Sequence, residues 1–404
     1  MIKVMNVLGI VAEYNPFHNG HKYHLEKARE KSKADIVVAV ISGNFTQRGE
    51  PAILDKWTRS RLAIESGVDL VLEIPFVFAC NSAEYFARGG VEILNGLGCI
   101  THIGFGSESG SLDQLKSLSH FLLNEGDEFK KTIQSMTGEG VAYARARELT
   151  TAKLMGVESA ALLCSPNNIL AIEYLKQLIR LDSSIEPVIV QRKGTGHLDE
   201  HTKGSFASGT ALRNNVPKEN IKEFVPEAVA GALKEGALWE KNFFDFTRQL
   251  ILREDCRSLR GIFMAKEGIE NKLKKEVVYA KNLQDLIRLV KSKRYPETRI
   301  KRLLCHTLMG MTHNDFYRIL QGNISYSRVL GFNRKGSSLL KKIKQEELLT
   351  IPVITNINKE IPQDDSLMEL SLSYDVLAGD MYNLLVGRNL YDQSDHVRKP
   401  VCLD

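Results

Sequence analysis

Along the first half of the chain, short runs that are apolar at nearly every position alternate with segments whose apolar residues recur at helical spacing. "VLGIVAEYN" precedes "HKYHLEKAREKS", "DIVVAVISG" precedes "LDKWTRSRLAIESG", and "VDLVLEIP" precedes "SAEYFARGGVEILNGLG" and "THIGFGSE". Uniformly apolar strands predict helices on both faces of a sheet, and helical crossovers between them predict parallel pairing. The pattern therefore predicts a doubly wound α/β domain with a parallel sheet. Helices are predicted over Leu112–Asn124 and Ser159–Arg180, followed by a strand at "EPVIVQR" and a last helix opening at "SGTALRNN". This domain is expected to span residues 1–217, ending near Pro217. Beyond it, "EFVPEAVAGALKEG", "FFDFTRQLILRE" and "LQDLIRLVKSKRYPETRIKRLLCHTLMGM" keep a helical period until "LLTIPVITNI", so residues 218–404 are predicted to be mostly helical. No internal repeat is found, and "KGTGHLDEHTKGSFASG" reads as a mobile loop.

Composition narrows the class. Hydrophobic residues at 43% and charged residues at 25% are globular values, and no segment approaches the roughly 18 uninterrupted apolar residues of a membrane span. A soluble chain with no membrane association is expected. The N-terminal apolar run is broken by Lys3, Asn6 and Glu13 and reads as a first strand rather than a signal peptide. Six cysteines, at 80, 99, 164, 256, 305 and 402, form no CxxC pair, which argues against a zinc ribbon or a disulfide scaffold and for a reduced, cytoplasmic protein. Charge is unevenly spread. Residues 256–345 carry 21 Lys and Arg against 6 Asp and Glu, a net +15, within a chain of net +5. Such a field points to a polyanionic partner.

The stretch "VAEYNPFHNGHKYHLEKARE" places His18, His21 and His24 at the first strand-to-helix junction. Three readings compete: a metal site, a phosphate site, or chance. No Cys pair or HExxH accompanies the histidines, so no metal ligand is named. The junction favours phosphate, because ligands of α/β sheets bind beyond the carboxyl ends of the strands and helix N-terminal amides attract anions. Gly20 would let the backbone approach a phosphate, with His18 and His21 donating to its oxygens on either side. Pro16 and Phe17 would stiffen the turn, and Lys22 and Lys27 would add positive charge.

"GIVAEYNPFHNGH", ahead of a parallel α/β pattern, resembles the HxGH nucleotidyltransferase superfamily, and "FASGTALRNN" is similar to its second signature, Ser-x-Thr-x-x-Arg. The resemblance implies a Rossmann-like nucleotidyltransferase domain in which Ser208, Thr210 and Arg213 hold the β and γ phosphates. "SGNFTQRGEPA", "SGVDLVLEIP", "FARGGVEILN", "GFGSE" and "PNNILAIEYL" narrow the likeness to the bacterial tRNA(Met) cytidine acetate ligase family. That family is implied to activate acetate with ATP as acetyl-adenylate and to pass the acetyl group to N4 of the wobble cytidine of elongator tRNA(Met). Carried onto this sequence, its ATP site falls on Val11, Ala12, Glu13, Tyr14, Asn15, Pro16, Phe17, His18, Asn19, Gly20, His21, Lys22, Tyr23 and His24, and on Gly106, Asn167 and Arg192. His18 and His21 are the implied catalytic pair. "LAIEYL" and "ASGTALR" depart slightly from the family's glycine and isoleucine choices.

The chemistry agrees with the charge map. Acetate is ionised at neutral pH and needs no general base to attack a phosphorus. Mg²⁺ is expected to enter with ATP, held largely by phosphates and water. In the basic segment, Lys291, Lys293, Arg294, Arg299, Lys301 and Arg302 cluster around Tyr295 and Pro296, a combination suited to an RNA backbone and an unstacked base. Arg328, Arg334, Lys335, Lys341, Lys342 and Lys344 would extend the track. Solvated helix faces are the plain alternative for both clusters. Two other functions stay open on the residues: an adenylyl or cytidylyl transferase acting on a small phosphorylated metabolite, and a nucleotide-binding RNA adaptor without chemistry. No obligatory protein partner is indicated.

Overall fold

Two cores on opposite sides of one sheet account for the apolar strands. Every residue of β2 (Ile36–Ser42) is buried; Val38 and Val40 enter one core, while Val37, Ala39 and Ile41 enter the other. Successive strand side chains point to opposite faces, so a strand covered on both sides must be apolar throughout. β1 (Val7–Ala12) pairs with β2 and with β4 (His102–Ser107), β2 also with β3 (Leu70–Ile74), and β4 with β5 (Glu186–Gln191), all in parallel. Helix α1 (Asn19–Ser32) crosses from β1 to β2, and α2 (Lys56–Glu65) from β2 to β3. The doubly wound fold expected from the pattern is present. The computed structural model describes residues 5–108, 111–192, 207, 209–215, 219–234, 239–360 and 366–404. Pro217 and most of "KGTGHLDEHTKGSFASG" lie outside them.

The sheet does not stop with the first half of the chain. Its order is β5-β4-β1-β2-β3-β6-β7, where β6 (Ser327–Phe332) runs antiparallel to β3, and β7 (Val353–Ile354) and β8 (Val401–Cys402) pair with β6. "SYSRVLGF", placed in the helical half by the sequence pattern, supplies a strand inside the sheet, with β3 on one side and β7 and β8 on the other, whose Val329 and Leu330 enter the two different cores. Proline corrects two further expectations. The helix expected over Ser159–Arg180 is three pieces, Val157–Ala161, a 3-10 turn Leu162–Cys164, and Pro166–Arg180 with Pro166 in its first turn. Pro166 has no N–H to continue the preceding helix and is tolerated only at a start. Pro296 likewise separates Leu283–Val290 from Glu297–Met309.

Where β6 meets β3, charges are buried. Lys56 Nζ lies 2.7 Å from Glu73 Oε1 and 2.6 Å from Asp395 Oδ2, and Arg328 Nη1 also bonds Asp395 Oδ2. None of the four side chains is more than 3% exposed. Arg328 therefore belongs to the interior and not to a surface track of basic residues, which is a correction to the sequence reading. Beside this group Asp375 accepts from Phe76 N at 2.6 Å and meets the Tyr326 hydroxyl at 2.5 Å. Burial, with the Glu73 charge next, pushes its carboxyl up to about 7.

A raised carboxyl means that the folded protein holds an extra proton between about pH 4 and pH 7, so this group's stabilising contribution is lost as pH rises through that window. His24 and His306 act oppositely, being held neutral by burial at about 4 and about 3. The informative comparison is thus with Asp375→Asn, which mimics the protonated form. Its stability relative to the native chain should rise by up to about 1.4 kcal/mol per pH unit across the window and then level off. Denaturant midpoints between pH 4 and 8 check this; a constant difference would refute it.

Candidate active site

β1 ends at Ala12 and the chain turns sharply, with Tyr14 at φ 49° and a cis bond between Asn15 and Pro16. Phe17 and Tyr14 are buried and their rings meet at 4.8 Å, which closes the base of the turn. His18 then caps α1. His21 N donates to His18 Nδ1 at 3.3 Å, and His18 N donates to His21 Nδ1 at 3.3 Å, a capping box made of two imidazoles. The rings stack with centroids 3.7 Å apart. Since both Nδ1 atoms accept from amides, the neutral rings carry their protons on Nε2. Two N–H donors are thereby held at the positive end of a helix of 14 residues.

Gly20 has a different reason from the expected one. A Cβ there would lie 2.9 Å from His18 Cε1, so the glycine makes room for the imidazole rather than directly for a ligand.

Of the residues expected to hold ATP, Val11, Ala12, Glu13, Tyr14, Asn15, His18, Gly20, His21, Tyr23, His24, Gly106, Asn167 and Arg192 line one cavity, together with Thr210 and Arg213. Four do not line it. Pro16 and Phe17 are buried in the turn, Lys22 is exposed, and Asn19 fastens the motif to the later chain through Asn19 N to Phe224 O and Asn19 Nδ2 to Glu223 O, both 2.9 Å. Lys27 forms a surface pair with Glu30. Ser208 lies outside the described residues.

The far wall is a polar lattice. Arg192 Nη1 donates to Asn167 Oδ1 at 3.3 Å, Asn167 Nδ2 donates to Glu108 Oε1, and Asn168 N donates to Glu108 Oε2 at 3.3 Å. Glu108 so caps the helix Pro166–Arg180. A Cβ on Gly106 would be in ordinary contact with Arg192 Cγ at 3.4 Å. Burial, with the Arg192 charge next, lowers His24 to about 4, while its bond to the Phe105 carbonyl opposes this. His24 is therefore neutral at physiological pH, and its Nε2 is buried without a hydrogen-bond partner among the described residues.

Opposite the histidines, Arg213 Nη1 donates to Asn15 O at 2.8 Å, and Nη2 meets Glu50 Oε1 at 3.2 Å and Thr210 Oγ1 at 3.3 Å. Gln47 and Arg48, to which the sequence pattern assigns no role, also line the cavity. Nothing local in "SGNFTQRGEPA" says that its tip reaches the first turn.

The basic segment divides. Lys293 and Arg294 are exposed, and Lys291 is exposed beside Glu297. Arg299 pairs with Glu267 and lies over Tyr295, whose ring is buried and whose hydroxyl bonds Glu267 O, so that ring is not a platform for a base. Lys301 is largely covered between Glu50 and Glu297. Arg302 points inward, its Nε donating to Gln47 O at 2.7 Å. The second cluster, Arg334 to Lys344, is exposed on the helix Arg334–Gln345, which starts against Asp69 at the amino end of β3. It sits away from the cavity, which opens at the carboxyl ends of β1, β4 and β5.

Among the described residues, no three His, Cys, Asp or Glu side chains converge as metal ligands would, and no helix is long and apolar enough to cross a membrane.

The family model for HIGH Nucleotidyl Transferase matches residues 5–396. A tRNA(Met) cytidine acetate ligase of Clostridium perfringens is 39% identical over 98% of this chain and 99% of its own length, and that of Caldanaerobacter subterraneus is 41% identical over 94% and 95%. The crystal structure of Thermotoga maritima TmcAL superposes with a TM-score of 0.91 at 30% identity, covering 99% of this chain and 100% of the other. A second structure of that protein, bound with alpha-thio ATP, gives a TM-score of 0.90 at 31% identity with the same coverage. The chain, with its capped histidine pair at the first turn of the sheet, therefore belongs to the HIGH nucleotidyltransferase family and within it to the tRNA(Met) cytidine acetate ligases.

Proposed function

We infer that this protein is an ATP-dependent tRNA-modifying ligase that activates acetate and acetylates N4 of the wobble cytidine of elongator tRNA(Met). The observation that carries the reading is the reciprocal histidine cap, which engages both Nδ1 atoms with backbone amides and sets the two imidazoles on the lining of a cavity bounded on another side by Thr210 and Arg213. An acetate oxygen attacks the α phosphorus, the bond to the β phosphate breaks, and pyrophosphate leaves. His18 and His21 stabilise the charge on the phosphoryl oxygens, while Thr210 and Arg213, with Ser208, take the departing phosphates. The cytidine amine then attacks the acetyl carbon and AMP leaves. The backbone from Val11 to His24, with Gly106, Asn167 and Arg192, holds the nucleoside end. The Thermotoga maritima relative bound with alpha-thio ATP supports ATP as the nucleotide.

Mg²⁺ would arrive with ATP, held by phosphate oxygens and water. The nearby carboxylates are already engaged, Glu13 by Gln47 N at 2.6 Å and Glu50 by Arg213 and Lys301.

Exchange of labelled pyrophosphate into ATP tests the reading. Exchange that requires acetate is expected. Exchange that requires a phosphorylated metabolite would favour a small-molecule nucleotidyltransferase, and none at all an RNA adaptor.

For the RNA, Lys293 and Arg294 are the exposed cations of the first basic cluster, next to Lys291, which pairs with Glu297. Lys293→Glu with Arg294→Glu should weaken tRNA binding, reduce the dependence of log affinity on log salt by about 0.7–0.9 per lost phosphate contact, and spare acetate-dependent exchange. An unchanged salt slope removes both residues from the interface.

A further inference from the structure

Two guanidinium groups converge on one hydroxyl at the edge of the cavity. Arg48 Nη1 donates to Thr210 Oγ1 at 3.1 Å, across 162 positions of sequence, and Arg213 Nη2 donates to the same oxygen at 3.3 Å. Glu50 Oε1 already pairs with Arg213 Nη2 at 3.2 Å, and a polyanion that bridges the two guanidiniums would add a second, shared counter-charge. Arg213 and Thr210 belong to the phosphate signature; Arg48 does not, and comes from the loop joining β2 to α2.

That loop is a built support. Gln47 N donates to Glu13 Oε1 at 2.6 Å and Ile53 N to Asn15 Oδ1 at 2.8 Å, which ties the loop to the first turn. On its other side, Arg302 Nε donates to Gln47 O, and Gly49, at φ 81°, lies so close to the helix Glu297–Met309 that a Cβ would sit 2.2 Å from Arg302 N. Arg48 is thus presented to the cavity by backbone fixed on both flanks.

We propose that Arg48 is a substrate-contacting residue, which joins Arg213 in binding the terminal phosphates of ATP and the pyrophosphate they become. The proposal rests on the nucleotide reading above. It follows from the chemistry of the pair: two planar forks sharing an oxygen between them match the several oxygens of a diphosphate, whereas a monocarboxylate such as acetate needs one. The departing group then leaves against two fixed cations, which favours breaking its bond to the α phosphorus.

Calorimetric binding of ATP, AMP and inorganic pyrophosphate to the full chain decides it. Arg48→Ala should weaken ATP and pyrophosphate by about 10- to 100-fold, the loss expected for a charged hydrogen-bonding group, and leave AMP within about twofold. Arg48→Lys, which keeps the charge but not the fork, should fall between. Should Arg48→Ala unfold, as circular dichroism would show, Arg48→Lys and Arg48→Gln carry the comparison. A parallel loss of AMP, an unchanged pyrophosphate affinity, or an effect confined to the KM for acetate would each overturn the assignment. Pyrophosphate binding needs no acetate, so failure of acetate activation in the native chain would show separately, as missing exchange with the ATP-over-AMP difference intact.

Discussion

Replacing His18 by Asn or His21 by Gln is expected to lower acetate-dependent pyrophosphate exchange by about 10²–10³-fold, the range seen when one fixed donor to a developing oxyanion is removed. These replacements are chosen because each imidazole has two jobs. Nδ1 of His18 satisfies an amide of the first helical turn, and Nδ1 of His21 reaches back to the cap. Alanine at His18 would remove the cap as well as the donor, costing about 1 kcal/mol of stability. Asn at the cap and Gln three residues later are residues that the same motif accepts, so the helix start survives while the Nε2–H donor disappears. The expected outcome is a folded protein that binds tRNA with native affinity, within about twofold, and exchanges poorly. Native exchange rates in both variants would remove the imidazoles from the chemistry. Equal loss of tRNA binding would mean that the turn itself had collapsed.

The second large effect is on stability. Lys56→Met should destabilise the fold by about 3–5 kcal/mol, because it leaves two buried carboxylates facing one guanidinium. In the native chain Lys56 and Arg328 are set against Glu73 and Asp395, two cationic side chains for two carboxylates. Around it Asp375 is held protonated up to about pH 7, which keeps a further negative charge out of the same interior. Lys56→Met combined with Asp395→Asn restores the charge balance and should recover a good part of the loss, since the cost lies in the unpaired charge and not in the missing attraction. Denaturant midpoints measure both variants. A loss under about 1 kcal/mol for Lys56→Met would show that water reaches the cluster and screens it. The bond from Lys56 to Asp395 spans 339 positions, so weakening it should also loosen the last segment of the chain from the sheet.

What the linear order of residues determined was everything carried by near neighbours. The strands β1 to β5 were legible because burial on both faces demands apolar residues at every position, and the turn from Val11 to His24 because its cap, its glycine and its imidazoles lie within one short span. His24, Asn167 and Arg192 came through the family likeness, and the structure brings them to the same cavity. Tertiary structure alone decided three matters. It turned "SYSRVLGF" into a strand inside the sheet, since the bonding partner that makes it one is β3, far back in the chain. It sorted the basic residues, sending Arg328 inward to Glu73 and Asp395 and Arg302 inward to Gln47, while leaving Lys293 and Arg294 in solvent. And it carried Arg48 to Thr210. A charge count cannot distinguish a solvated arginine from one that is buried and paired, because the pairing partner is chosen by the folded path of the backbone and leaves no periodic trace in the sequence.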